Sequence, residues 1–95
     1  MPDLKIEWDP RKASANKKTH NISFEEAATV FSNEVGRLIP DPDHSDDEDR
    51  SILLGMSWLL RVLVVCHCYR ESSSVIRIVS ARKATKAERA QYGAN

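Results

Sequence analysis

Val75-Ile76-Arg77-Ile78-Val79-Ser80-Ala81-Arg82-Lys83-Ala84-Thr85 joins an apolar, β-branched run to a cluster of cations. Val75, Ile76, Ile78 and Val79 are β-branched, so residues 75–81 read as a strand. Arg77 interrupts the apolar run, and Arg82 follows near the strand's end. A long cation inside such a run needs a partner or a rim. Two guanidiniums near one strand end can serve one anionic group, and phosphate suits their forked donors. Upstream, residues 61–69 form the most apolar strand, because Val62, Leu63, Val64, Val65 and Cys66 leave neither face polar. A strand buried on both sides is central in its sheet. Glu71-Ser72-Ser73-Ser74 between the two reads as a hairpin loop.

Working outward, residues 51–58 alternate, with Ile52, Leu54, Met56 and Trp58 sharing a face. Residues 57–60 turn the chain. Residues 35–39 read as a short edge strand. Residues 40–49 form a loop, since they hold two prolines and six carboxylates. At the start, residues 4–8 alternate as a first strand with Leu4, Ile6 and Trp8 inward. Asp9 caps a helix with Pro10 in its first turn, running to about Thr19 and packing only through Ala13, Ala15 and Asn16. Asn21 is its left-handed stop. Ser23-Phe24-Glu25-Glu26 is a capping box, with Glu26 reaching back. The helix after it, residues 24–32, buries Phe24, Ala27, Ala28 and Phe31. At the far end, Thr85-Lys86-Ala87-Glu88 is a second capping box, opening a helix to about Tyr92. The fold class is α+β: a strand, two helices, an antiparallel meander of three or four strands, and a short C-terminal helix.

Ninety-five residues, 41% of them hydrophobic, hold one domain with one modest core. No apolar run has the length of a membrane span, and the first residues lack a signal-peptide core, so the expectation is a cytoplasmic protein with no membrane contact. Cys66 and Cys68 point to one face of a strand and lie too far apart to bridge easily. Net charge is zero. That average conceals an acidic loop at residues 41–49, a basic first helix with Arg11, Lys12, Lys17 and Lys18, and a basic C-terminal end with Arg77, Arg82, Lys83, Lys86 and Arg89.

Three histidines, His20, His44 and His67, titrate near neutrality and can move protons. His67 lies on the strand face of Leu63, Val65 and Tyr69, where it is expected to meet Arg77 across the hairpin. Cys66-His67-Cys68 is a poor metal site: His67 points away from both thiols, and no second cysteine pair completes a ligand set. The acidic loop lacks the central glycine of an EF-hand. No metal or cofactor is expected. Neither a glycine-rich phosphate loop nor a Gly-x-Ser-x-Gly elbow is present. Arginines, histidines and carboxylates remain. They suit RNA cleavage without a metal, which needs a base for the 2′-OH proton, cations for the charge growing on phosphorus and an acid for the leaving oxygen. The competing reading pairs Arg77 and Arg82 with carboxylates of the acidic loop, such as Glu48 and Asp49. A separate alternative for the whole chain is a non-catalytic interaction module whose basic face binds RNA or an acidic partner and cuts nothing.

Several stretches resemble one family, in order and across nearly the whole chain. Ile6-Glu7-Trp8-Asp9-Pro10, Asn16, His20, Ser23-Phe24-Glu25-Glu26-Ala27 and Val30-Phe31 resemble the N-terminal half of BrnT toxins. Asp41-Pro42-Asp43-His44-Ser45, Glu48 and Arg50 resemble their central loop, and residues 76–85 with Glu88, Arg89 and Tyr92 resemble their C-terminal signature. The resemblance implies a RelE/ParE-like fold. It implies a ribonuclease toxin of a type II toxin–antitoxin pair that inhibits translation and growth, neutralised by a BrnA-type antitoxin through which alone it meets operator DNA. The expected catalytic residues are Arg77, Arg82, Arg50, Glu48, His44 and His67. Lys83, Lys86, Arg89 and His20 are expected to bind the RNA substrate.

Overall fold

The computed structural model describes residues 5–33, 36–40, 50–70 and 74–93. The elements are β1 (Lys5–Trp8), α1 (Pro10–His20), α2 (Phe24–Thr29), a 3-10 turn (Val30–Ser32), β2 (Arg37–Pro40), β3 (Arg50–Met56), β4 (Val62–Arg70), β5 (Val75–Lys83) and α3 (Lys86–Gly93). The strands form one sheet in the order β1-β5-β4-β3-β2. β2 to β5 pair antiparallel, which is the expected meander in its four-stranded form. β1 joins β5 in parallel, so the sheet is mixed. Alternation in residues 5–8 marks a strand but carries no information about its neighbour. The acidic loop, with His44 and Glu48, and most of the hairpin loop at 71–74 lie outside the described residues.

Both faces of the sheet are used. Leu53, Leu63, Val65, Ile78 and Ala81 face α1 and α2 and pack with Ile22, Phe24, Ala27 and Val30. Leu54, Val64 and Ala84 pack on the other face with Ile52, Val62 and Tyr92 of α3. β4 feeds both layers alternately, which is why its sequence shows no polar face. Gly55 permits close approach of the 3-10 turn: a Cβ there would stand 2.8 Å from Val30 Cγ1.

Side-chain bonds set the helix ends. Asp9 accepts from the Arg11 N–H at 2.8 Å, and Asn21 ends α1 at φ 58° with its N–H on the Lys17 carbonyl. Asn16 is buried in α1 and does more than pack. Its amide donates to the Ile22 and Ala81 carbonyls at 2.9 and 2.8 Å, and its oxygen accepts from the Ala81 N–H at 3.1 Å. β1 pairs with β5 only as far as Ile78, so Asn16 serves a stretch of β5 edge that no strand covers.

The two capping boxes differ. In the second, Glu88 N–H donates to Thr85 Oγ1 and Thr85 N–H donates to Glu88 Oε1, so both arms close. In the first, Ser23 Oγ accepts from the Glu26 N–H at 3.0 Å, but the Glu26 carboxylate does not reach back. It accepts from Ser57 Oγ at 2.7 Å and from Arg61 through two guanidinium nitrogens, pinning the turn between β3 and β4. That turn begins at Ser57, so Trp58 leaves the strand face expected for it and is 69% exposed. Leu60 occupies the left-handed position of the turn at φ 64°.

Candidate active site on the arginine face

Strand register decides which expected residues meet. Arg50 of β3 stands opposite Cys68 of β4, Cys68 opposite Arg77 of β5, and Arg77 beside Glu7 of β1. Residues directly opposite share a face, so these four make one row across the sheet. Arg82 stands opposite Val64. Val64 belongs to the layer under α3, so Arg82 shares this face with Arg77 and Arg50. From Cys68 to Val64 is four residues of β4, roughly 13 Å of strand. The three guanidiniums expected to act on phosphate therefore line one face, spread along it.

Two of them hold carboxylates. Arg77 Nη1 donates to Glu7 Oε2 at 2.8 Å, with both side chains part-exposed. Arg82 donates through Nη1 and Nη2 to the two Glu88 oxygens at 2.8 and 2.9 Å. The Arg82 fork, with the Thr85 N–H, pulls the Glu88 carboxyl down to about 2. Ion pairs thus exist at both arginines, with Glu7 and Glu88; the acidic loop expected to supply them lies outside the described residues. Five N–H donors per guanidinium leave each arginine with groups still able to meet an anion. Arg50 adds a buried Nε that has no partner among the described residues.

His67 is not on this face. It stands opposite Ile78, fully buried under the 3-10 turn, between the rings of Phe31 and Tyr69. Alternation sends His67 and Arg77 to opposite sides of the sheet, so the expected meeting across the hairpin does not occur. Burial lowers the imidazole pKa from its ordinary 6.5, against the opposing pull of the Nδ1–H bond to the Val65 carbonyl at 3.1 Å. Nδ1 carries the proton, and Nε2 has no partner among the described residues. The ring is a neutral core group.

The expected substrate-binding cations divide as well. Lys86 and Arg89 lie on α3, where Arg89 donates to the Ala84 carbonyl at 3.1 Å. Lys83 ends β5 opposite Leu63, on the side of α1, and His20 closes α1. Among the described residues no three His, Cys, Asp or Glu side chains gather as metal ligands. No described helix is long and apolar enough to cross a membrane. The carboxylate beside Arg77 escapes a reading of the sequence alone. Alternation in residues 5–8 places Glu7 opposite to Ile6 and Trp8; only the parallel pairing of β1 with β5 brings it to Arg77.

Comparison with known proteins follows from this architecture. The family described as "Ribonuclease toxin, BrnT, of type II toxin-antitoxin system" matches residues 8–88. This chain belongs to the BrnT family. The crystal structure at 1.1 Å resolution of the Brucella abortus ribonuclease toxin BrnT superposes with a TM-score of 0.68 at 22% identity, over 87% of this chain and 99% of that one. At that identity the likeness speaks for a shared BrnT fold. No curated protein matches the chain by sequence. BrnT-family membership makes the chain a ribonuclease toxin by family and implies an antitoxin as its partner. It leaves to the residues themselves the question of which side chains act.

Proposed function

We propose that this chain is a cytoplasmic endoribonuclease toxin with a RelE/ParE-like fold, acting as a single domain that cuts RNA without a metal and so halts translation and growth. A BrnA-type antitoxin neutralises it and alone carries it to operator DNA. Arg77, Arg82 and Arg50 hold the scissile phosphate and the negative charge that grows on it. The 2′-oxygen attacks phosphorus, the 5′-oxygen leaves, and a 2′,3′-cyclic phosphate remains. Glu48 and His44, in the stretch leading into Arg50, take the 2′-OH proton and return one to the leaving oxygen. Lys83, Lys86 and Arg89 hold flanking phosphates. His67 is left out of the chemistry, because it is buried on the other face.

The observation that carries this reading is the sharing of one sheet face by Arg50, Arg77 and Arg82. Loss of one transition-state cation slows such reactions on the order of a hundredfold or more. Arg77→Ala and Arg82→Ala, each shown to be folded, should therefore cleave RNA on the order of a hundredfold more slowly in the presence of chelator, while wild type is unaffected by the chelator. Full activity in both variants would overturn the assignment. One observation favours the non-catalytic module: Arg77 and Arg82 already hold carboxylates. Growth arrest with cellular RNA intact would decide for that reading.

A further inference from the structure

Three arginines at the sheet are met by carboxylates: Arg61 by Glu26, Arg77 by Glu7, Arg82 by Glu88. Most cations of α1 have no such partner among the described residues. Residues 10–20 hold Arg11, Lys12, Lys17, Lys18 and His20 and no acidic residue. Among the described residues only Arg11 of this set has an ion pair, with Asp9 at 3.7 Å. All five side chains are exposed. In a chain of zero net charge, this helix is a local excess of positive charge, offset among the described residues only by Asp9 at Arg11 and by Glu26 near Lys17.

A groove of about 240 Å³ runs beside it, lined by Lys12, Ala15, Asn16, Thr19, His20 and Val79. Its floor is built by a β-bulge. Cys66 pairs with Ser80 and His67 with Ile78, so Val79 is the extra residue, turned toward α1. Lys12 and His20 stand at the two ends, roughly 12 Å apart along the helix. Thr19 lines the groove beside His20, and Ala15 and Val79 give it an apolar patch. Cations at the rim with an apolar floor suit a sugar–phosphate backbone. The groove also ends at the β5 edge that β1 leaves uncovered. There Asn16 holds Ala81, and the next residue, Arg82, points to the arginine face.

We infer that this groove is a second, non-catalytic RNA-backbone site, which holds single-stranded RNA through Lys12, Thr19 and His20 and leads it over the β5 edge toward Arg82. The choice of RNA as ligand rests on the ribonuclease reading; the site itself rests on the unpaired cations and the groove.

The test separates the two. Binding of a fluorescent single-stranded oligonucleotide, 2′-O-methylated so that it cannot be cut, is measured over a salt series for wild type and Lys12→Ala/His20→Ala. Both side chains are exposed, and a circular-dichroism melt checks the fold; Lys12→Glu in a second variant repeats the test at one position. Affinity should fall roughly tenfold in the double variant. The slope of log affinity against log salt should shrink by about 0.7 for each phosphate that the variant no longer neutralises. With cleavable RNA the loss should appear in KM rather than kcat. Unchanged affinity and slope in both variants would overturn the inference while leaving the arginine face untouched. Weakened binding of the antitoxin with RNA affinity unchanged would also overturn it, giving the helix to the protein partner. Weakened RNA binding in a chain that never cuts RNA would sustain this site and sink the catalytic reading.

Discussion

The face of the sheet beneath α1 and α2 carries an imidazole, a carboxylate and an amide, His67, Glu26 and Asn16, all buried. The opposite face carries the guanidiniums of Arg50, Arg77 and Arg82, none of them fully buried. On the covered face each polar group serves the fold. Asn16 completes a bare strand edge, Glu26 anchors a turn, and the Nδ1–H of His67 is tied to its own strand. On the arginine face the polar groups meet other charges at a wet surface, where a competing anion can exchange for a carboxylate. Desolvation drives the difference. A charge that is closed in must be matched to persist, while one at the rim can change partners at small cost.

The largest expected effect sets one pair from each side against the other. Arg61→Ala leaves the Glu26 carboxylate, only 3% exposed, with Ser57 as its one side-chain hydrogen-bond donor among the described residues. Stripping the guanidinium from a buried carboxylate, even where the guanidinium itself is part-exposed, should cost about 2 kcal/mol or more. Arg77→Ala breaks the part-exposed pair with Glu7 and should cost less than about 1 kcal/mol. Urea unfolding of both variants measures the contrast, and equal losses would break it.

Acid should sharpen the same contrast in two windows. The folded His67 pKa lies below its ordinary 6.5, so the unfolded chain binds the proton more readily and stability falls as pH drops below about 6.5. One such group contributes at most about 1.4 kcal/mol per pH unit. His67→Phe should flatten this limb. Glu88 behaves as a depressed carboxyl: its contribution is present above 4.5 and is lost as pH falls toward about 2. Glu88→Gln should flatten only that lower limb. Thermal melts across pH 3 to 8 read both, and a His67→Phe profile parallel to wild type would contradict the buried neutral ring. A smaller effect belongs to the turn that Glu26 anchors. Leu60 holds φ 64°, so Leu60→Gly should raise stability by about 1 kcal/mol. A loss there would show that the side chain packs in a way its exposure hides.

Much of the architecture is legible because local chemistry dictates it. Asp9, Pro10 and Asn21 bound α1, Thr85 and Glu88 open α3, and the run from Val62 to Cys66 marks the central strand. What stays hidden requires a partner in space. Glu26 has the sequence of a cap, yet Arg61 and Ser57 displace the backbone, because a buried carboxylate gains more from a guanidinium than from an N–H it can leave to water. His67 and Arg77 look like neighbours along a hairpin, and strand alternation puts them on opposite sides; the bulge at Val79 comes after both and turns Arg82 onto the face of Arg77. Glu7 reaches the site only through a parallel pairing that no local signal announces. Arg50, Arg77 and Arg82 are legible as candidates, but not their common face, since residues five apart alternate to opposite sides until the bulge at Val79 intervenes, nor the carboxylates that hold two of them.

The most direct test compares single-turnover cleavage of labelled RNA by wild type, Arg77→Ala and His67→Phe, all confirmed folded. Arg77→Ala should lose on the order of a hundredfold in rate while His67→Phe stays within a few-fold of wild type. The reverse result, with His67→Phe inactive and Arg77→Ala intact, would contradict the placing of the chemistry on the arginine face.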